Sequence, residues 1–83
     1  MKITLRFFAS LREALGASET LTLPEPTSVA QVRQLLLARG EPYATVLAPG
    51  RALRCALNQT LCDEQQRVDD GAELAFFPPV TGG

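Results

Sequence analysis

The chain has 83 residues, of which 46% are hydrophobic and 20% are charged, and its net charge is −1. A domain of this size buries only about 60–65% of its unfolded surface, which leaves no room for a deep, enclosed substrate cavity. The weak net charge provides no strong field to hold nucleic acid or an anionic membrane surface. Length and charge therefore favour one soluble domain with neither of these partners.

Targeting and metal-binding signals are absent from the sequence. The first six residues alternate in polarity, unlike a signal peptide, and no segment approaches the ~20 apolar residues of a membrane helix. A cytoplasmic location is therefore expected. With no histidine and only Cys55 and Cys62, the chain lacks the ligand spacing of a metal site, so we predict none. Buried free thiols are the expected state of the cysteines, with a disulfide or a persulfide-carrying thiol as alternatives.

The N-terminal quarter predicts two strands joined through a short helix. Apolar residues alternate with polar ones in 2–8, which predicts a strand with one buried face. Ser10 offers a cap for a short helix, and Gly16 ends it. Residues 19–23 alternate again and predict a hairpin partner for the first strand. The residues predicted to face inward are Ile3, Leu5, Phe7, Leu21 and Leu23.

The clearest helix begins after Thr27 or Ser28, either of which can cap it. Gly40 is placed to end it. The expected buried stripe consists of Val29, Val32, Leu35 and Leu36. The side chains expected to face water are Gln31, Arg33 and Gln34.

The second half of the chain predicts more strands. Residues 41–52 are expected to form a loop or a short irregular helix, followed by a strand at 53–57 and a turn at Asn58-Gln59. A brief strand at 60–62 and a turn at 69–71 lead to the last strand, 72–77. This order predicts an α+β fold: a mixed sheet, one face covered by the main helix, with the first and last strands paired near its centre.

Strand parity places two aromatic residues on the face of the sheet away from the helix. Phe8 and Phe77 are expected there, with Leu61 close by. Outward aromatic side chains on a small domain indicate a surface for a protein partner. The alternative is that one or both fold back into an edge of the core.

The last six residues carry the strongest functional signal. Pro78 and Pro79 end the sheet and favour an extended stalk. Val80 and Thr81 also prefer extension, and Gly82-Gly83 has no side chains that would obstruct a narrow tunnel. The pattern predicts a flexible tail that presents the Gly83 carboxylate to a partner enzyme, which activates it with ATP as an acyl-adenylate. A frayed terminus that happens to end in glycine is the alternative.

Three segments resemble one known family. Phe76–Gly83 is similar to the C-terminus of the small subunit of molybdopterin synthase, and Ala56–Gln59 and Leu5–Glu13 resemble the internal turn and the first strand and helix of that family. The resemblance covers the whole chain. It implies a ubiquitin-like β-grasp domain at 1–77 and a functional tail at 78–83.

The resemblance also implies a reaction and two partners. The expected partners are the large catalytic subunit, in a heterotetramer, and an ATP-dependent adenylating enzyme; no cofactor is expected to bind the chain itself. A thiocarboxylate on Gly83 would give sulfur to cyclic pyranopterin monophosphate in molybdenum cofactor biosynthesis. The chain would thus be one subunit of a sulfurtransferase, without a complete active site of its own. The alternatives are a thiamine-pathway sulfur carrier, a protein modifier joined to lysines, and an interaction module with an inert tail.

Overall fold

A computed structural model of the protein describes residues 1–79, and residues 80–83 lie outside the described part. The described residues form strands β1 (Lys2–Phe7), β2 (Ser18–Thr22), β3 (Thr27–Ser28), β4 (Arg54–Leu57), β5 (Thr60–Cys62), β6 (Arg67–Val68) and β7 (Glu73–Phe77), and helices α1 (Ala9–Leu15), α2 (Val29–Leu37) and α3 (Tyr43–Val46).

Five strands form one mixed sheet in the order β2-β1-β7-β4-β5. β1 pairs antiparallel with β2 and parallel with β7, which in turn pairs antiparallel with β4. The predicted central pairing of the first and last strands is therefore confirmed. β3 and β6 form a separate two-stranded ladder that the sequence analysis did not anticipate.

One face of the large sheet is the core face. Strand residues on it are almost fully buried and pack with apolar residues from the helical side, as the alternation in β1 and β7 predicts. The rings of Phe7 and Phe76 stack with their centroids 6.4 Å apart. The main contributors are Ile3, Leu5, Phe7, Leu11, Val29, Val32, Leu36, Leu47, Leu74 and Phe76.

Helix α2 begins with the expected cap. The Ser28 hydroxyl accepts from the Gln31 backbone N–H, and the Gln31 side chain accepts in return from the Ser28 N–H. This reciprocal pair satisfies two donors that have no partner within the helix. The helix ends at Leu37, and Gly40, with φ +85°, follows its last turn.

Two predictions about the faces of α2 were wrong. Leu35 is 47% exposed, and Arg33 is only 7% exposed. The Arg33 guanidinium donates from Nε to the Leu47 carbonyl at 2.8 Å and also to the Ala48 carbonyl. It forms an ion pair with Glu64 as well. The segment after α3 thus presents carbonyl groups to this flank of α2, and a buried arginine satisfies them.

A further prediction, the cap of the first helix, was also wrong. Ser10 lies inside α1, and Phe8 occupies the cap position without a side-chain cap hydrogen bond. The Leu11 and Arg12 N–H groups instead point to the Phe8 carbonyl. Helix α1 therefore follows directly on the end of β1, with no room for a loop that would bring Ser10 to its start.

Candidate functional site

The described chain leaves the sheet from its middle strand. β7 is flanked on both sides, by β1 and β4, and ends at Phe77, so Pro78 is the first residue beyond the sheet. Proline cannot donate a ladder hydrogen bond, which accounts for the end of the strand there. Because β1 runs parallel to β7, its end lies at the same edge, and the Phe8 N–H donates to the Phe76 carbonyl at 3.3 Å.

The face of the sheet opposite the core is apolar along part of its middle. Leu61 is paired with Ala56 and Ala56 with Ala75, which is paired in turn with Arg6. Because paired residues point to the same side of a sheet, these four form one row across it. Ala56 and Ala75 are buried but do not belong to the core cluster. We call this surface, formed by Phe8, Ala56, Leu61, Ala75 and Phe77, the open face.

Aromatic residues lie on the open face near the point where the tail departs. Phe77 is paired with Arg54, so both lie on this face at the end of β7. Phe8 is 40% exposed and Leu61 69% exposed, whereas Phe77 is half-buried. Register thus places Phe77 on the open face, away from the core cluster.

Cationic groups border the apolar part of this surface. The Arg6 guanidinium lies 5.6 Å from the centroid of the Phe8 ring and 3.6 Å from a Glu73 carboxylate oxygen. The ion pair holds Arg6 over the sheet, and the cation–π contact orients Phe8 against it. Arg54 is exposed beside Phe77. The apolar centre of this face is therefore bordered by the Arg6–Glu73 ion pair and by the exposed Arg54.

The turn that precedes β5 is tied to the central strand. Asn58 and Gln59 have φ values of +50° and +68°, which identify the two-residue hairpin turn in which asparagine is favoured. Asn58 also exchanges hydrogen bonds with Glu73: its side-chain oxygen accepts from the Glu73 N–H at 2.9 Å, and its own N–H donates to the Glu73 carbonyl at 2.8 Å. This clamp sets the position of β5, and hence of Leu61, relative to β7.

The similarity to known proteins covers both the domain and the tail. The profile of the ThiS family matches residues 5–83. The chain belongs to the ThiS family. A relative from Escherichia coli K12, the molybdopterin synthase sulfur carrier subunit, is 41% identical over 81 residues, with 98% of this chain and 99% of that protein covered.

Solved structures show that this ThiS-family chain has the β-grasp fold. A chain in the protein–protein complex of subunits 1 and 2 of molybdopterin-converting factor from Helicobacter pylori gives a TM-score of 0.68 at 23% identity, with both chains fully covered. Small archaeal modifier protein 1 from Haloferax volcanii gives 0.77 at 21% identity, with 95% of this chain and 98% of that chain covered. At these identities the likeness is one of fold.

The structure brings together only part of the predicted site of this ThiS-family chain. The open face contains the three predicted partner-surface residues: Phe8 and Phe77 lie at the edge where β7 ends, and Leu61 lies on the outer strand β5. Pro78 and Pro79 are half-buried beyond the strand end. The remaining tail positions, Val80, Thr81, Gly82 and Gly83, lie outside the described residues. Over residues 1–79, none of the helices is long and apolar enough to span a membrane.

Sequence reasoning missed the contacts that orient these residues. The cation–π contact of Arg6 with Phe8 was not predicted, although their i, i+2 spacing on one face of a strand would have allowed it. For Asn58, likewise, only a turn was predicted, and its two hydrogen bonds to Glu73 were not. Nothing in the local sequence marks Glu73 as its partner, because the two residues meet through the pairing of β4 with β7.

Proposed function

We propose that the chain is the sulfur carrier subunit of a molybdopterin synthase and that the Gly83 carboxylate is its working group. The observation that carries the proposal is the 41% identity, over almost the entire chain, to a protein of that name. The family match also extends through Gly83. The proposed thiocarboxylate chemistry is based on the sequence of the tail, residues 78–83.

The proposed reaction begins with activation of the terminal carboxylate. One Gly83 oxygen attacks the α-phosphate of ATP on an adenylating partner and releases pyrophosphate. A sulfur nucleophile then displaces AMP, which leaves a thiocarboxylate. On the large subunit, the thiocarboxylate sulfur would displace an oxygen substituent from a carbon of cyclic pyranopterin monophosphate, and water would then cleave the bond between that sulfur and the Gly83 carbonyl carbon, which restores the carboxylate. This chain supplies the carried group and its stalk, and the partners supply the enclosed active sites that 83 residues cannot build.

We further propose that the open face docks on the large subunit. It is the apolar side of the sheet without core packing, and it lies at the end where β7 passes into Pro78. A partner bound there would hold the start of the tail at a fixed position, which is what delivery of a terminal group requires. Phe77 is the proposed anchor, because large aromatic side chains that become fully desolvated in a contact can dominate affinity.

The test is adenylation of tail variants. Deletion of Gly83 shortens the stalk by about 3.3–3.6 Å, and a misplacement of ~1 Å can cost about a hundredfold in rate. We therefore expect ATP–pyrophosphate exchange with the adenylating enzyme to fall at least that far. Gly82→Ala should also slow exchange, because it adds a methyl group to the tail.

A matched control separates the tail from general effects of substitution. At Gly50 an added Cβ would meet no atom within 4 Å, so Gly50→Ala should exchange at the wild-type rate. All variants should keep the wild-type melting temperature. Exchange at the wild-type rate without Gly83 would overturn the carrier proposal, and unfolding on deletion would show that the tail is structural.

The protein-modifier alternative is tested in the same reaction. Because a modifier and a molybdopterin-converting-factor subunit share this fold, the fold does not distinguish them. After charging with a sulfur source, a carrier gains about 16 mass units, since sulfur replaces oxygen at the carboxyl carbon. A modifier would instead appear as a conjugate with lysines of other proteins. A thiamine-pathway carrier would be charged too but would not co-purify with a molybdopterin synthase large subunit.

A further inference from the structure

Cys55 and Cys62 are opposite each other on adjacent antiparallel strands, and their sulfur atoms are 3.8 Å apart. Opposed residues on such strands have Cα atoms about 4.5–5.5 Å apart. A disulfide spans Cα separations of about 4.4–6.8 Å. The backbone of β4 and β5 therefore already lies at disulfide distance, and only the two side chains would have to rotate.

The two thiols differ in accessibility. Cys55 is 4% exposed and belongs to the core cluster, whereas Cys62 is half-buried on β5 and packs against that cluster. In the described sheet, β5 is an outer strand whose one neighbour is β4. A small reagent in solution therefore meets the Cys62 sulfur before the Cys55 sulfur.

We propose that Cys55 and Cys62 form a reversible dithiol–disulfide site, oxidised by small disulfide compounds such as oxidised glutathione. The two cysteines lie on the core side of the β4–β5 hairpin. The neighbouring residue Leu61 lies on the opposite side, which is the open face. This site does not involve the tail, so the dithiol proposal can be tested separately from the carrier function.

The oxidation proceeds by two exchange steps. The Cys62 thiolate attacks one sulfur of the oxidant RS–SR, forms a mixed disulfide and releases RS⁻. Cys55 then loses its proton and attacks the Cys62 sulfur, which forms the Cys55–Cys62 bond and releases a second RS⁻. Both released thiolates take up the protons that the cysteines lost. The balance is two protein thiols and one RS–SR converted to one protein disulfide and two RSH.

The electrostatics support this division of roles. Burial, with a smaller contribution from the hydrogen bond to Cys62, raises the pKa of the Cys55 thiol to about 12. Cys55 therefore stays protonated at neutral pH and is a poor first nucleophile. Once Cys62 carries the mixed disulfide, the Cys55 sulfur is held beside it, so Cys55 displaces RS⁻ without a thiol from solution.

The disulfide would have a structural consequence at the edge of the sheet. It would join the two strands of a hairpin whose turn, Asn58-Gln59, is already tied to Glu73. Opening of β5 away from β4 would then require the bond to be reduced. We expect the oxidised protein to melt at a temperature about 5 °C or more above the reduced one.

The experiment treats dilute full-length protein with oxidised glutathione under native conditions. The expected wild-type product is a monomer about two mass units lighter. It should take up no alkylating reagent until a reductant is added, and then two equivalents, one for each cysteine. Cys62→Ser should stay unmodified far longer than wild type. Cys55→Ala should stop at a single glutathione adduct, because it has no second sulfur to displace glutathione.

Three results would overturn the proposal. The wild type could accumulate a stable glutathione adduct, form disulfide-linked dimers, or keep both thiols open to alkylation at oxidant levels that modify Cys55→Ala. The melting temperature provides a second criterion, since only the wild type should gain stability on oxidation and lose it on reduction. An equal shift in the Cys55→Ala variant would also exclude a bond between the two residues.

Discussion

The two faces of the five-stranded sheet are formed by the same strands but have different surroundings. On the core face, Leu5, Phe7, Leu74 and Phe76 are at most 1% exposed. On the open face the corresponding positions carry alanines, an arginine and the exposed Leu61. Burial of large apolar side chains stabilises a domain in proportion to the area removed from water. The core face therefore carries most of the stability, and the open face is the surface that we propose for docking on the large subunit.

Substitutions on the two faces are expected to have different effects. Substitutions on the core side should change the free energy of unfolding and affect partner binding only through folding. Substitutions on the open face should change affinity at constant stability. A variant that violates this division would show that one of the faces has been assigned the wrong role.

The largest effect is expected from Leu36→Ala. Leu36 is fully buried against the core face, so truncation should lower the free energy of unfolding by about 2–5 kcal/mol. Urea denaturation measures this directly. The matched control is Leu35→Ala on the same helix, which should stay within about 0.5 kcal/mol of wild type because Leu35 is exposed. Equal losses in the two variants would contradict the observed orientation of α2.

The next largest effect is expected from Arg33→Met. The change preserves much of the apolar stem but leaves the Leu47 and Ala48 carbonyls and the Glu64 carboxylate without their donor. We expect a loss of about 2–3 kcal/mol in urea unfolding. Arg12→Met, on the exposed surface of α1, is the control and should be near neutral. A stable Arg33→Met protein would mean that water replaces the guanidinium at little cost.

A smaller effect, on binding and not on stability, is expected from Phe77→Ala. Loss of this aromatic anchor should weaken binding to the large subunit by more than about 1 kcal/mol, measured by calorimetry. The melting temperature should change little, since Phe77 does not belong to the core cluster. Leu35→Ala serves again as the control, because it removes an exposed leucine from the opposite side of the molecule. Unchanged affinity for Phe77→Ala would count against the open face as the docking surface.

The smallest effect is expected at the Glu19–Arg39 ion pair. A hydrogen bond from Arg39 lowers the pKa of Glu19, so the folded state favours the ionised carboxylate. The resulting stability is present at neutral pH and is lost as the pH falls below about 4. Because the pair is exposed, Glu19→Gln should cost less than about 1 kcal/mol at pH 7.

The pH dependence of this pair has its own control. Glu13 is exposed and has no ion pair within the described part of the chain. Glu13→Gln should therefore have almost the same free energy of unfolding as wild type at pH 7 and at pH 3. A penalty for Glu19→Gln that persists at pH 3 would mean that the side chain stabilises the fold by packing and not by its charge.

Much of the fold could be predicted from local patterns. Alternation in β1 and β7 identified their buried faces, and a cap residue at Thr27 or Ser28 marked the start of α2, because these signals depend on residues close together in the sequence. The Asn58-Gln59 turn was predicted for the same reason. The Gly-Gly tail and its chemistry were also predicted from sequence alone, and that part of the site remains a prediction.

Only the tertiary structure decided the positions that depend on distant partners. Arg33 was expected in water, yet it is buried because the backbone after α3 presents carbonyl groups to that flank of α2. The two cysteines are seven positions apart in the sequence and meet only through the register of β4 with β5. Periodicity describes how a segment divides between two faces. Which groups occupy the space beside each face depends on segments that are far apart in the sequence and that the fold brings together. The local sequence carries no information about those segments.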